Sequence, residues 1–262
     1  MEAMLKYLKL ALFCILLAVF LISFFYKDDF HRRTEIVPDA LNDPVQTDLK
    51  DKTPVTFERD GYSYKVTPLY DYDISGMLVH KNDYRFFSLD KVDNAIPFDF
   101  CMIWGQNLAT GTYEDSSLKF SQDSRFCNAT WGPGVGLKIS DVSNNHLIIN
   151  DDNVAKEAKN VSVGDQVRIK GELVNLQAVR NDQQETETWH TSVTRDDTGA
   201  GACEVILVKD IEILGKSDSS MRILNKIAFW GLILFIPVNI IWFFINVSRK
   251  RKQIEKDDLL PY

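Results

Sequence analysis

The 262 residues carry 30 Lys and Arg against 37 Asp and Glu, a formal net charge of −7, and 45% of them are hydrophobic. Residues 1–26 carry about +1 and residues 227–262 about +2, so the middle of the chain lies near −10 by difference. A middle that acidic repels phosphate backbones and argues against nucleic-acid binding, while the length allows one domain with a real core beside membrane segments.

Leu10 to Tyr26 is an unbroken uncharged run that, with Leu8 and a snorkelling Lys9, reaches the length of a membrane span. A cleaved signal peptide also starts with basic residues, but no small-x-small site follows the apolar core, which ends in bulky Phe24-Phe25-Tyr26. The run is therefore read as an anchor, transmembrane helix 10–26 after a cytoplasmic N-terminus 1–9. From 27 to 61 the residues turn polar, with Pro38, Pro44 and Pro54 spaced among them, which predicts a stalk or irregular lead-in.

The outer domain is predicted over 62–214. Tyr70, Tyr72, Ile74, Gly76 and Leu78 alternate with Asp71, Asp73, Ser75, Met77 and Val79, the period of a half-buried strand. Phe98 to Trp104 gives another strand, and a loop-rich section follows through Gly136. His146-Leu147-Ile148-Ile149 predicts a short strand, and Asp151 or Asp152 can cap a helix through Lys159. Gly164-Asp165 then turns into a strand with Val167, Ile169 and Leu173 on one face and Gly171 interrupting it. Glycines on the apolar faces of two strands, at Gly76 and Gly171, mark sharp coiling or close backbone approach. A polar insertion from Arg180 to Thr188 precedes the last strands, Cys203 to Val208 and Ile211 to Leu214.

After a linker at 215–226, residues 227–247 form 21 uncharged positions, a second transmembrane helix. Arg249-Lys250-Arg251-Lys252 opens a basic tail, 248–262, that should stay cytoplasmic; Lys6 and Lys9 put the N-terminus on the same side, leaving 27–226 outside.

About five coiled strands with one helix ahead of the Gly164-Asp165 strand predict a mainly β ectodomain, an OB-like small barrel with one short helix, flanked by two transmembrane helices; a β-sandwich is the alternative. Trp104-Gly105 after Cys101, His146 to Ile149, Gly164-Asp165 with Gly171 to Val174, and Trp189, Ser192, Arg195, Asp197, Gly199, Gly201, Ala202 and Cys203 in their spacing carry a likeness over residues 65–214. In these the chain resembles a loosely defined group of uncharacterised bacterial membrane-anchored proteins with an OB-like periplasmic domain. The resemblance implies a bacterial inner-membrane setting and no particular activity.

Three cysteines fall in the outer region, where an oxidising compartment permits one bridge. Cys101–Cys127 would tie the loop-rich section to the barrel and is the disulfide candidate; a bridge through Cys203, or none, stays open. Cys203 near His190, Asp196 and Asp197 admits a thiol-dependent hydrolase, although Cys203 begins an apolar strand and no nucleophile motif surrounds it. Trp189, Arg195, Asp197 and Cys203 are the candidate contacts for a partner or ligand. His31, His80, His146 and His190 form no metal-spaced pair, so no metal or cofactor is expected. Asn128-Ala129-Thr130 and Asn160-Val161-Ser162 are glycosylation sequons that matter only in a eukaryotic secretory pathway.

The leading expectation is a non-enzymatic inner-membrane protein whose acidic outer domain binds an envelope protein or a small envelope ligand. An envelope enzyme, or an exclusion or assembly protein acting through its spans, are the alternatives.

Overall fold

The computed structural model describes residues 2–32, 34–85, 95–123, 125–181, 186–194, 202–218 and 220–258. The chain divides into two compact units, Met1–Asp28 with Ser219–Tyr262, and Asp29–Asp218. The described helices, apart from short 3-10 turns, are α1 (Glu2–Tyr26), α2 (Gln106–Ala109), α3 (Asp152–Asn160) and α4 (Ser220–Asp258).

In the first unit α1 and α4 pack antiparallel. Phe13 meets Phe235 with ring centroids 5.5 Å apart, and Lys9 lies 3.1 Å from the Trp242 ring centroid. Nearer the other end, Asn225 donates Nδ2 to the Phe20 carbonyl and to Ser23 Oγ, both at 3.1 Å. Both helices are long and apolar enough to cross a membrane, over the 23 residues Met4–Tyr26 and the 30 residues Ser220–Arg249, the second of which contains the uncharged run 227–247. Asn239 bonds its own helix, Nδ2 to the Phe235 carbonyl at 2.7 Å, which satisfies the amide inside an apolar segment.

The second unit is mainly β. Its strands are β1 (Val45–Asp48), β2 (Val55–Arg59), β3 (Tyr62–Asp83), β4 (Phe98–Ile103), β5 (Lys119–Asp123), β6 (Phe126–Thr130), β7 (Val142–Ile148), β8 (Gln166–Arg180), β9 (Thr186–Trp189) and β10 (Cys203–Gly215). The sheet closes on itself as a ring, β3 to β4 to β7 to β10 to β8 and back to β3; β7 and β10 run parallel and the other pairs antiparallel. β1 and β2 add to β3, β9 adds to β8, and β5 with β6 forms a separate hairpin.

Phe98, Phe100 and Met102 of β4, Leu147 of β7, Val167, Ile169 and Leu173 of β8 and Ile206 of β10 fill the ring, each wholly buried, with Trp104 beside them. α3 packs Val154, Ala155 and Ala158 onto this core. Its start is capped by Asp151, whose carboxylate accepts from Asn153 N at 2.7 Å and Val154 N at 3.1 Å.

At the two strand glycines a neighbouring backbone leaves no room for a side chain. A Cβ on Gly76 would lie 2.5 Å from the Ile103 carbonyl oxygen, and one on Gly171 would lie 2.3 Å from that of Leu207. Gly171→Ala is therefore expected to destabilise the domain by about 1–3 kcal/mol or more, because backbone must move. Gly136→Ala, at a site with open space around it, should stay within about 0.5 kcal/mol. Thermal unfolding of both variants checks this, and equal melting temperatures would refute it.

The stretch 27–61 is not a free stalk. Its last part supplies β1 and β2 along β3, Ala40 is wholly buried, and Gly105 N donates to the Ala40 carbonyl at 2.9 Å. Gln166 fixes the approach on both sides, accepting from Val37 N and donating to the Glu35 carbonyl, each at 2.8 Å. The domain thus begins near Asp29 rather than at 62. These strands of four and five residues are mostly exposed and gain their order from the edge of β3, so they leave little periodicity to read.

Candidate functional site

Along β4 the pleat sends Phe98, Phe100 and Met102 into the ring and Asp99, Cys101 and Ile103 to its outer face. Register then decides what Asp99 meets. Asp99 pairs with His146, Cys101 with Asn144, and Asn144 in turn with Cys203 on the parallel strand β10. Asp99, Asn144, His146 and Cys203 therefore come together on one face of three adjacent strands, 0 to 7% exposed, although about a hundred residues of sequence separate the first from the last.

Other elements close over this face. Tyr84, just past the end of β3, donates its hydroxyl to Asp99 Oδ2 at 2.9 Å. Burial, followed by the nearby Asp99 charge, pushes the Tyr84 phenol up to about 12, so it stays a donor. The β5–β6 turn brings Arg125, which donates to Asp99 Oδ1 at 2.9 Å and to the Ile96 carbonyl at 3.2 Å. Arg125 holds φ at +68°, a conformation that disfavours any residue with a Cβ, and its bonds to Asp99 and Ile96 offset that cost. Its guanidinium lies 3.9 Å from the Tyr84 ring centroid and 5.2 Å from that of Trp189 on β9. Trp189 also meets His146 edge to face at 5.0 Å.

His146 is engaged on both sides. Nδ1 lies 2.8 Å from Asp99 Oδ1, and Cys203, across from Asn144 on β10, stands beside the imidazole on the same face of the sheet. Burial by itself would lower its affinity for a proton, but Asp99 and Cys203 outweigh burial and push it up to about 9. Asn144 donates Nδ2 to Cys203 Sγ at 3.2 Å and to the Arg125 carbonyl at 2.6 Å. A relay holds that amide in place: Gln122 Nε2 donates to Asn144 Oδ1 at 2.8 Å, and Gln122 Oε1 lies 3.1 Å from His80 Nδ1. The result is a sulfur that accepts from an amide donor and has an imidazole beside it, with a carboxylate holding that imidazole from behind.

Cys101 and Cys127 are joined by a disulfide, with Cα atoms 5.8 Å apart. It fastens β6 to β4 two residues from Asp99 and two from Arg125. The free cysteines are Cys14 in α1 and the buried Cys203.

Of the predicted contact residues, Trp189 and Cys203 both border this cluster, whereas Arg195 and Asp197 lie outside the described residues. His190, expected near Cys203, is exposed at the end of β9, and the imidazole on the same sheet face as the sulfur is that of His146. Among the described residues no group of three His, Cys, Asp or Glu side chains has the geometry to hold a metal ion.

Sequence reasoning passed over Asp99, Asn144, His146 and Arg125. The available signal was a carboxylate in Phe98-Asp99-Phe100-Cys101-Met102-Ile103, a strand buried at every position, since a charge in such a run demands a partner. No known protein family, curated protein or solved structure matches the chain.

Proposed function

We propose that the chain is a bacterial inner-membrane protein whose two spans hold an OB-type barrel outside the cytoplasm, and that the barrel binds its ligand or envelope partner at the Asp99–His146–Cys203 face. Basic residues at 249–252 favour cytoplasmic ends for both helices, and the antiparallel packing of α1 and α4 agrees with ends on one side.

The strand path supports the OB reading. The ring takes its strands in the order first, second, third, fifth, fourth; the third and fifth are the parallel pair, and α3 lies between the third and fourth. Modules of this type take ligands on the second and third strands, beneath the loops joining the first to second and fourth to fifth strands. Here those strands are β4 and β7, and those connections supply Tyr84 and Trp189.

The single observation that carries the proposal is the coincidence of the buried polar cluster with that face. Photocrosslinking in native membranes tests it, with p-benzoylphenylalanine in place of Trp189 or Phe126 near the cluster, or of Lys209 away from it. Adducts are expected at 189 or 126 and not at 209. Equal yields at all three, or adducts at 209 alone, would overturn the placement.

A further inference from the structure

We propose that Cys203 is the nucleophile of an acyl-transfer site, with His146 as its acid–base partner and Asp99 and Asn144 as positioning residues, acting on an activated acyl carbonyl such as an ester or thioester. The inference goes beyond binding and stands on the side-chain geometry, whether or not the ring is an OB-type barrel.

A sulfur nucleophile needs a nitrogen base in hydrogen-bonding reach and a third group that fixes the base. Cys203, His146 and Asp99 stand in this order on one face of three adjacent strands, with His146 Nδ1 2.8 Å from Asp99 Oδ1, and a rigid sheet positions them better than loops would. Asn144 Nδ2 donates to the Cys203 sulfur at 3.2 Å, and a donor so placed strengthens as negative charge develops on that sulfur.

The cysteine inventory selects acyl transfer over disulfide exchange. Cys101 and Cys127 are paired with each other, and Cys14 lies in α1, so Cys203 has no neighbouring free thiol to resolve a mixed disulfide. In the forward step the Cys203 sulfur attacks the carbonyl carbon, forming a carbon–sulfur bond while the carbonyl π electrons move to oxygen. Collapse breaks the bond to the leaving group, which departs with its electron pair and takes the proton from His146. The neutral imidazole then removes a proton from water, or from an acceptor alcohol or amine. The resulting oxygen or nitrogen nucleophile attacks the thioester, the carbon–sulfur bond breaks, and the sulfur and protonated His146 are restored.

Cys203 is 7% exposed, so the probe must be small, and p-nitrophenyl acetate is suitable. Full-length protein in detergent carrying Cys14→Ser has Cys203 as its free thiol. Peptide mass spectrometry is expected to find the acetyl group on Cys203. At pH 7 the folded protein should acylate at least about tenfold faster than the same chain in guanidinium, where an ordinary thiol is only a few per cent ionised. His146→Gln should lose about a hundredfold or more of the rate. Asp99→Asn should move the alkaline limb of the pH–rate profile, set by the His146–Cys203 pair in wild type, toward lower pH, a shift that loss of packing alone would not produce. An acetyl group found elsewhere than Cys203, or a folded protein no faster than the unfolded chain, would overturn the proposal; the second comparison needs no variant of the site to fold.

Discussion

Asp99→Ala is expected to lower the stability of the β domain by about 3–5 kcal/mol, the range for stripping one partner from a buried charged network. Asp99 is fully buried and accepts from Tyr84, Arg125 and His146. Its removal leaves the Arg125 guanidinium and the His146 imidazole without the buried carboxylate that both bond. Asp210→Ala, at an exposed position on β10, is the control and should change stability by no more than about 0.5 kcal/mol. Thermal melts of the two variants decide the matter, and matching curves would remove the basis for a charged cluster. The same network gives the wild type a pH signature. His146 binds its proton more tightly folded than unfolded, so its contribution is whole below about pH 6.5, its ordinary value, and is lost as the pH rises through about 9. Stability should therefore fall between pH 7 and 10, and His146→Gln should flatten that part of the curve.

Cys127→Ser should have a comparable effect for a different reason. The Cys101–Cys127 bridge closes a loop across a sequence separation of 26, and a loop of that size is worth roughly 3 kcal/mol by restricting the unfolded chain. It also holds the β5–β6 hairpin to β4, and that hairpin brings Gln122 to Asn144 and Arg125 to Asp99. Its loss should thus weaken the cluster as well as the fold. The expected result is a lower melting temperature, matched in wild type by added reductant, together with faster maleimide labelling of Cys203 at temperatures below the melt. Wild-type melting and wild-type labelling would mean that the hairpin is held by its apolar contacts, Phe120 and Ala129 among them.

What the sequence made legible was local. Asp151 announces α3 by the geometry of one turn, Gly76 and Gly171 mark close backbone approaches, and the two apolar runs are long enough to name themselves. The pairing of β3 with β8 was harder to see. Its register slips at Leu69, between Pro68 and Tyr70, and across from that slip the buried set on β8 moves from Val167, Ile169 and Leu173 to Val174, Leu176 and Ala178. A change of phase in one long strand reads, in sequence, as the end of a strand. The site was least legible of all. Trp189 and Cys203 could be picked out as chemically capable residues, but Asp99 and His146 meet only through the register of β4 on β7, and Cys203 joins them only through a parallel pairing made after a long excursion of the chain. His190, near Cys203 in sequence, was the natural partner to expect. Strand order made it His146.

The most direct test of the cluster is a histidine titration of the full-length protein in detergent, with ¹⁵N-labelled imidazoles followed by NMR from pH 5 to 10 and His146 assigned through His146→Gln. One histidine, His146, should keep both ring nitrogens protonated through neutral pH and titrate near 9. If His146 instead titrates near its ordinary value of 6.5, it is not held between Asp99 and Cys203, and the account of the site is wrong.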